Sequence, residues 1–224
     1  MNYFSALLVL ATKLFSRLFY RLDVNWITPK EEMDWEGTRL VVVLNHTSLF
    51  EPLMVAALPN RNLWRAAQRL VVPVADITMQ RPFVGRLFRL LAPKAVPITR
   101  KRDESWTRFM DQTAGNSLIL IFPEGRMKRK DGLDKHGQPM SVKGGVADIL
   151  QKIDSGKMAI VYSGGLHHVQ APGDWFPKPF RTIQMGVEQV DIPSYKEKMD
   201  GKNFRSNVIH DLERRMRLNT PAFT

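Results

Sequence analysis

An α/β fold, a single layered domain with a central, largely parallel sheet flanked by helices, is what this sequence predicts, with an amphipathic helix ahead of it. Three observations carry the prediction. Runs rich in β-branched residues alternate with stretches of helical periodicity along most of the 224 residues. Several runs, among them Leu40-Val41-Val42-Val43-Leu44, are continuously apolar, the pattern of strands covered on both faces. No linker or internal repeat divides the chain, and this length with 44% hydrophobic residues builds one substantial core.

Residues 1–22 form the leading unit and residues 23–224 the folded domain. Met1 to Thr12 is mostly apolar and carries no charged side chain; Lys13, Arg17 and Arg21 then recur at a spacing of four. Residues four apart share a helix face, so these cations predict a basic stripe beside Leu14, Phe15, Leu18, Phe19 and Leu22. The uncharged run is about half the ~20 residues a spanning helix needs, and it has neither the basic start nor the cleavage site of a secretory signal. It reads as a helix lying in a membrane interface with its cations toward anionic headgroups, which predicts a peripheral or monotopic membrane protein on the cytoplasmic face. The competing reading is an amphipathic helix packed on the chain's own core.

The predicted strands are Arg39 to Leu44, Ala95 to Thr99, Ser117 to Phe122, Met158 to Ser163 and Arg181 to Val187. Helical periodicity marks Pro52 to Ala57, Met79 to Leu91, Glu104 to Ala114, Gly145 to Ile153 and Phe204 to Leu218. The polar segment Lys128 to Gln138 reads as an exposed loop.

The charge balance, 33 Lys and Arg against 22 Asp and Glu, gives a formal +11 and predicts an anionic partner. The absence of cysteine excludes disulfides, thiolate catalysis and Cys-based zinc sites. Nucleic acid is not expected as the partner, because aromatics are not interleaved with the basic clusters.

His46 follows the strand Leu40 to Leu44 directly, at a strand-to-helix turn where α/β enzymes place reactive groups. A histidine accepts a hydroxyl proton near neutral pH, its unperturbed pKa being about 6.5. Glu51, five residues on, is placed to hold one imidazole nitrogen and leave the other as base. The same residues allow a second reading, a capping box in which Glu51 returns only to the Ser48 backbone. Pro52 argues for the first, since proline prefers the first helical position and Glu51 is then released. Downstream, the strand Ser117 to Phe122 runs into Pro123-Glu124-Gly125-Arg126, with Lys128, Arg129, Lys130 and Lys143 nearby in sequence. Pro97-Ile98-Thr99-Arg100-Lys101-Arg102 sets further cations at a strand end, suited to clamping a phosphate. His167 and His168 are adjacent and would face different ways in a strand, which argues against a shared metal site.

Taken in order, these elements resemble the glycerophospholipid acyltransferase family that includes lysophosphatidic acid acyltransferases, over roughly residues 40–186. Asn45-His46-Thr47-Ser48-Leu49-Phe50-Glu51 resembles the family's first block, Asn-His-x-Ser-x-x-Asp, with Glu for Asp. Ala95-Val96-Pro97-Ile98-Thr99-Arg100 resembles the second, Phe122-Pro123-Glu124-Gly125 the third, Lys143-Gly144-Gly145 the stretch after it, and residues 158–164 the fourth. The resemblance implies His46 as general base and Glu51 as its partner. It implies Asn45, Ser48, Arg100, Glu124, Gly125, Arg126 and Lys143 as substrate-binding residues, with either Arg126 or Lys128 on the phosphate. It further implies an acyl donor carried on CoA or acyl carrier protein, a lysolipid acceptor at a phospholipid surface, backbone N–H groups near Gly125 for the oxyanion, and no cofactor or metal. Glu51 occurs in relatives that acylate other lipids, which leaves the acceptor open. Tyr162-Ser163-Gly164-Gly165 stands where the fourth block carries a proline, so a changed acyl or acceptor pocket is expected, and an inactive membrane-bound scaffold is the rival reading.

Overall fold

The computed structural model describes residues 3–92, 94–99, 101–171, 174 and 176–222; within these, the side chains of Phe83, Val84, Leu87, Phe88 and Leu91 fall outside the description. A seven-stranded sheet in the order β1-β7-β6-β2-β5-β3-β4 forms its centre. The strands are β1 (Arg21–Trp26), β2 (Thr38–Leu44), β3 (Leu70–Ala75), β4 (Lys94–Ile98), β5 (Leu118–Ile121), β6 (Lys157–Ser163) and β7 (Thr182–Asp191). From β6 through β2, β5 and β3 to β4 every pair is parallel; β7 joins β6 antiparallel, and β1 runs parallel to β7 at the edge. Helices α1 (Tyr3–Phe19), α2 (Asn60–Arg69), α3 (Asp76–Met79), α4 (Pro82–Leu91), α5 (Glu104–Asp111), α6 (Gly145–Lys152), α7 (Ile192–Met199) and α8 (Phe204–Asn219) complete it, with 3-10 helices at Lys30–Glu32 and Glu51–Ala57.

The five predicted strands all form. β1 and β3 were not expected, for different reasons. β1 is an edge strand carrying Asp23 and Asn25, with only alternate residues half-buried. β3 contains Pro73, a residue that argues against an inner strand. Its ladder to β5 ends at Val71, however, so the missing N–H falls where that neighbour has already left. The helix expected over Met79 to Leu91 is broken instead into α3 and α4, because Pro82 starts a helix more readily than it continues one.

The sheet has two unlike faces. Leu40, Val42, Leu44, Ile119, Ile121, Met158, Ile160 and Tyr162 point to one side, where residues of α5, α6, α7 and α8 join them in a close-packed core. Truncating a side chain such as Ile160 in that core costs about 2–5 kcal/mol. On the other side Val41, Leu118, Leu120 and Val161 remain half-buried in the middle of the sheet, because α1, α2 and the Glu51–Ala57 helix bridge over them.

α1 keeps Leu14, Phe15 and Leu18 of the expected apolar stripe outward but not the basic stripe beside it. Its buried residues are Ser5, Ala6, Lys13 and Ser16, and its outward stripe is Phe4, Leu7, Ala11, Leu14, Phe15 and Leu18. The predicted basic stripe does not form. Lys13 points inward to the Leu58 carbonyl, and Arg21 belongs to β1. The inward Ser16 hydroxyl donates to the Leu53 carbonyl at 2.9 Å, so polar atoms on α1 cap the neighbouring 3-10 helix. Next to the end of α1, Phe180 adopts φ 60 and its N–H donates to the Phe19 carbonyl at 2.7 Å. Among the described residues no helix is long and apolar enough to cross a membrane.

Candidate active site

β2 and β5 are parallel neighbours, so the chain leaves both at the same sheet edge. After β2 it turns sharply at Asn45, whose φ of 63 lies in the left-handed region that asparagine tolerates. After β5, Pro123-Glu124-Gly125 turns with Gly125 at φ 69 and its N–H bonded to the Phe122 carbonyl at 3.0 Å. The Glu124 carboxylate, buried at 2% exposure, spans the two turns. Its oxygens accept the backbone N–H of Asn45 at 3.2 Å and of His46 at 2.7 Å. The turn that aims His46 is therefore clamped from the neighbouring strand.

Glu51 performs both jobs between which the sequence left a choice. Oε1 accepts the backbone N–H groups of Thr47 at 2.8 Å and Ser48 at 2.9 Å, as a capping carboxylate does. Oε2 accepts His46 Nδ1–H at 2.9 Å. With Nδ1 so occupied, Nε2 is the imidazole atom open to a reacting group; the ring itself lies 4.6 Å from that of Phe122. Burial pushes the His46 pKa down, but the Glu51 charge and hydrogen bond, helped by Glu124, outweigh it and hold the value above the usual histidine range. Glu124 is itself raised by burial, against the opposing pull of the His46 N–H, Lys128 and His46.

Among the described residues no Ser hydroxyl is bonded to the His46 ring and the chain has no Cys; an imidazole held by a carboxylate in this way suits a reaction whose attacking hydroxyl belongs to the substrate. The acyltransferase family model matches residues 27–163, more than half of the chain and all of this constellation. The chain belongs to the acyltransferase family. The fold agrees: the 1-acyl-sn-glycerophosphate (LPA) acyltransferase PlsC from Thermotoga maritima superposes with a TM-score of 0.61 at 17% identity, covering 96% of this chain and 81% of that one. A comparison with curated proteins returned no match.

The remaining expected site residues of this acyltransferase fall into two groups. Asn45 and Ser48 brace the turn: Asn45 Nδ2 donates to the Ser163 carbonyl at 2.7 Å, and the Ser48 hydroxyl to Gln170 Oε1 at 2.7 Å. Glu124 and Gly125 shape the backbone, as above. Of the cations, Arg126 pairs with buried Asp134, and Lys128 Nζ donates to Asn45 Oδ1 at 2.8 Å. Lys143 is exposed, donates to the Ser141 hydroxyl at 2.8 Å and lines the cleft with Lys101, Arg102 and Arg205. Arg100 lies outside the described residues.

Several contributors to the site escaped the sequence reading. The Lys128 N–H donates to the His46 carbonyl at 2.7 Å, and the Lys128 carbonyl is bonded at 2.7 Å by His167 Nε2, so a distant histidine steadies the His46 turn. Asp134 gathers the loop by accepting the N–H groups of His136 at 2.7 Å and Gln138 at 3.0 Å; the Asp-x-x-Gly spacing was a usable signal for that turn. Arg205, on α8, had no local signal at all. Tyr162 lies away from the cleft, in the α8-facing core, where its hydroxyl donates to Glu188 at 2.5 Å. The expected effect of Tyr162 on the pocket is thus corrected: in a strand, residue 162 faces the side opposite to Val161, which does line the cavity.

A cavity of about 910 Å³ takes in the polar cleft at Lys143 and Arg205 and extends from His46 under the helical bridge, with Val41, Val43, Leu118, Leu120 and Val161 as floor and Val9, Thr12, Leu63 and Ala67 among its other walls. It reaches Thr38 at the far end of β2, which at ~3.3 Å per residue makes it roughly 20 Å long.

Proposed function

We propose that this acyltransferase moves a fatty acyl group from a thioester, on CoA or acyl carrier protein, to a hydroxyl of a lysophospholipid such as lysophosphatidic acid. The observation that carries the reading is the His46–Glu51 pair opening onto a long, apolar cavity. The acceptor hydroxyl gives its proton to His46 Nε2 as its oxygen attacks the thioester carbonyl. Glu51 stabilises the imidazolium formed, and the tetrahedral adduct collapses to the ester while the proton passes to the departing thiolate. The acyl chain lies along the floor of β2, β5 and β6. The cations Lys101 and Lys143 at the mouth, beside Arg102 and Arg205 that share Asp148, hold a phosphate of donor or acceptor, which lowers the entropic part of the barrier.

The site works at a lipid surface. α1 turns its apolar stripe outward, Leu14 and Leu18 being 68% and 67% exposed, and Phe176 and Phe180 extend the greasy surface. Such a face, with Arg17 at its edge, is supported as a membrane-embedded one by its composition and by the net charge of +11. The protein is accordingly read as peripheral, held on the membrane by residues 1–22.

Purified protein incubated with a panel of lysolipids and labelled acyl-CoA or acyl carrier protein is expected to yield diacyl phospholipid by mass spectrometry. Absence of transfer to every lysolipid from both donors defeats the reading. Val41→Trp, which fills the cavity midway, shifts preference to shorter acyl donors. At about 0.8 kcal/mol per buried CH₂, displacing two methylenes lowers kcat/KM for long chains roughly tenfold. An unchanged chain-length profile in a folded variant moves the acyl site elsewhere.

A further inference from the structure

Away from the catalytic cleft, the end of α1, β1 and the Glu51–Ala57 helix enclose a groove of about 350 Å³. Arg17, Tyr20, Trp26 and Lys30 line it, over Ala56 and Ala57. Neither Arg17 nor Lys30 makes an ion pair among the described residues. Lys30 lies over the Trp26 ring at 5.9 Å. Lys13 adds a third cation: burial, then Arg17, then Lys30 depress its pKa, so the three ammonium and guanidinium groups act on one another. Tyr20 is 6% exposed, and its hydroxyl has no hydrogen-bond partner among the described residues. A buried hydroxyl without a partner is costly, and repelling cations at one groove are too; an anion accepting from all of them relieves both.

We propose that this groove binds the phosphate of an anionic lipid headgroup, with Arg17, Lys30 and the Tyr20 hydroxyl as donors. The assignment rests on the membrane reading of α1, whose outward stripe ends beside Arg17 and sets the groove at headgroup level. Guanidinium and ammonium donors suit phosphate oxygens, and a phenol supplies the neutral third donor. Because Ala56 and Ala57 floor the groove and Glu51 begins the same short helix, headgroup binding braces the segment that holds the catalytic carboxylate.

The test uses the full chain in sedimentation with phosphatidylcholine vesicles, with and without phosphatidic acid. Wild type is expected to favour the anionic vesicles roughly tenfold or more. Arg17→Gln with Lys30→Gln loses that preference yet still binds neutral vesicles through α1. Lys198→Gln with Lys202→Gln removes equal charge on the opposite face and keeps the preference. Tyr20→Phe, which leaves packing intact, reduces it. A preference unchanged in the first pair, or lost equally in the second, overturns the proposal. In parallel, Trp26 emission, identified by its loss in Trp26→Phe, is followed with inorganic phosphate and with vesicles. A response to vesicles alone marks a headgroup site, and a response to both marks a general phosphate site; no response to either overturns the groove. None of these readouts needs turnover, and His46→Ala shows the same preference. Failure to bind neutral vesicles with the phosphate response intact removes the membrane reading and leaves the anion site standing.

Discussion

His46→Ala is expected to lower acyl transfer by about 10²–10⁴-fold, the range a general base contributes, with the fold retained. The histidine side chain touches the catalytic machinery and little else. Its Nδ1 is bonded to Glu51 and its ring meets Phe122, while the turn around it is held by backbone groups that alanine also has. Glu51 loses one partner but keeps the N–H groups of Thr47 and Ser48, so its buried charge is not orphaned. Steady-state kcat/KM together with a thermal melt separates catalysis from stability. Wild-type turnover in the folded variant removes His46 from the chemistry and the rest of the mechanism with it.

Glu51→Gln is the second large effect, roughly hundredfold or more in kcat/KM. An amide offers one acceptor oxygen where three N–H donors now converge. If that oxygen serves Thr47 and Ser48, the amide nitrogen faces His46 Nδ1 and forces the tautomer that carries its proton on Nε2, the wrong form for a base. The pH profile reports the same loss independently. In the wild type the Glu51 charge holds the His46 pKa above 6.5, so activity rises with pH through a midpoint above that value. Without that charge, burial is opposed only by Glu124 and the acid limb moves to lower pH. An acid limb that stays in place, with stability but not activity reduced, assigns Glu51 to capping alone.

What was legible in the chain was what lies close together in it. His46 and Glu51 share one turn, and the apolar runs around Leu40 and Ile119 announce two buried strands whose carboxyl ends carry the site. Arg126 was less legible, because its partner Asp134 lies across a turn and claims the charge a phosphate would otherwise take. The apolar stripe of α1 was legible, but the place of Lys13 was not. Periodicity shows that a helix has two faces, but Lys13 and Ser16 are drawn inward by the Leu58 and Leu53 carbonyls of a neighbouring helix and its end, which no local pattern reveals. The Arg17 groove depends on β1, an edge strand without a strand signature, and so could not be assembled before that strand was placed.

α1 has a further consequence through Val9 and Thr12, which wall the cavity while the opposite side of the same helix carries Leu14 and Leu18. On the proposed membrane reading of α1, one helix thickness separates the bilayer from the space assigned to the fatty chain. Trimming residues 3–19 to obtain a better-behaved soluble protein would therefore open that space to water along one flank. The same reading has a reactant with its tail already in the leaflet slip past the helix without crossing bulk solvent, so that lateral diffusion within the leaflet would govern its arrival.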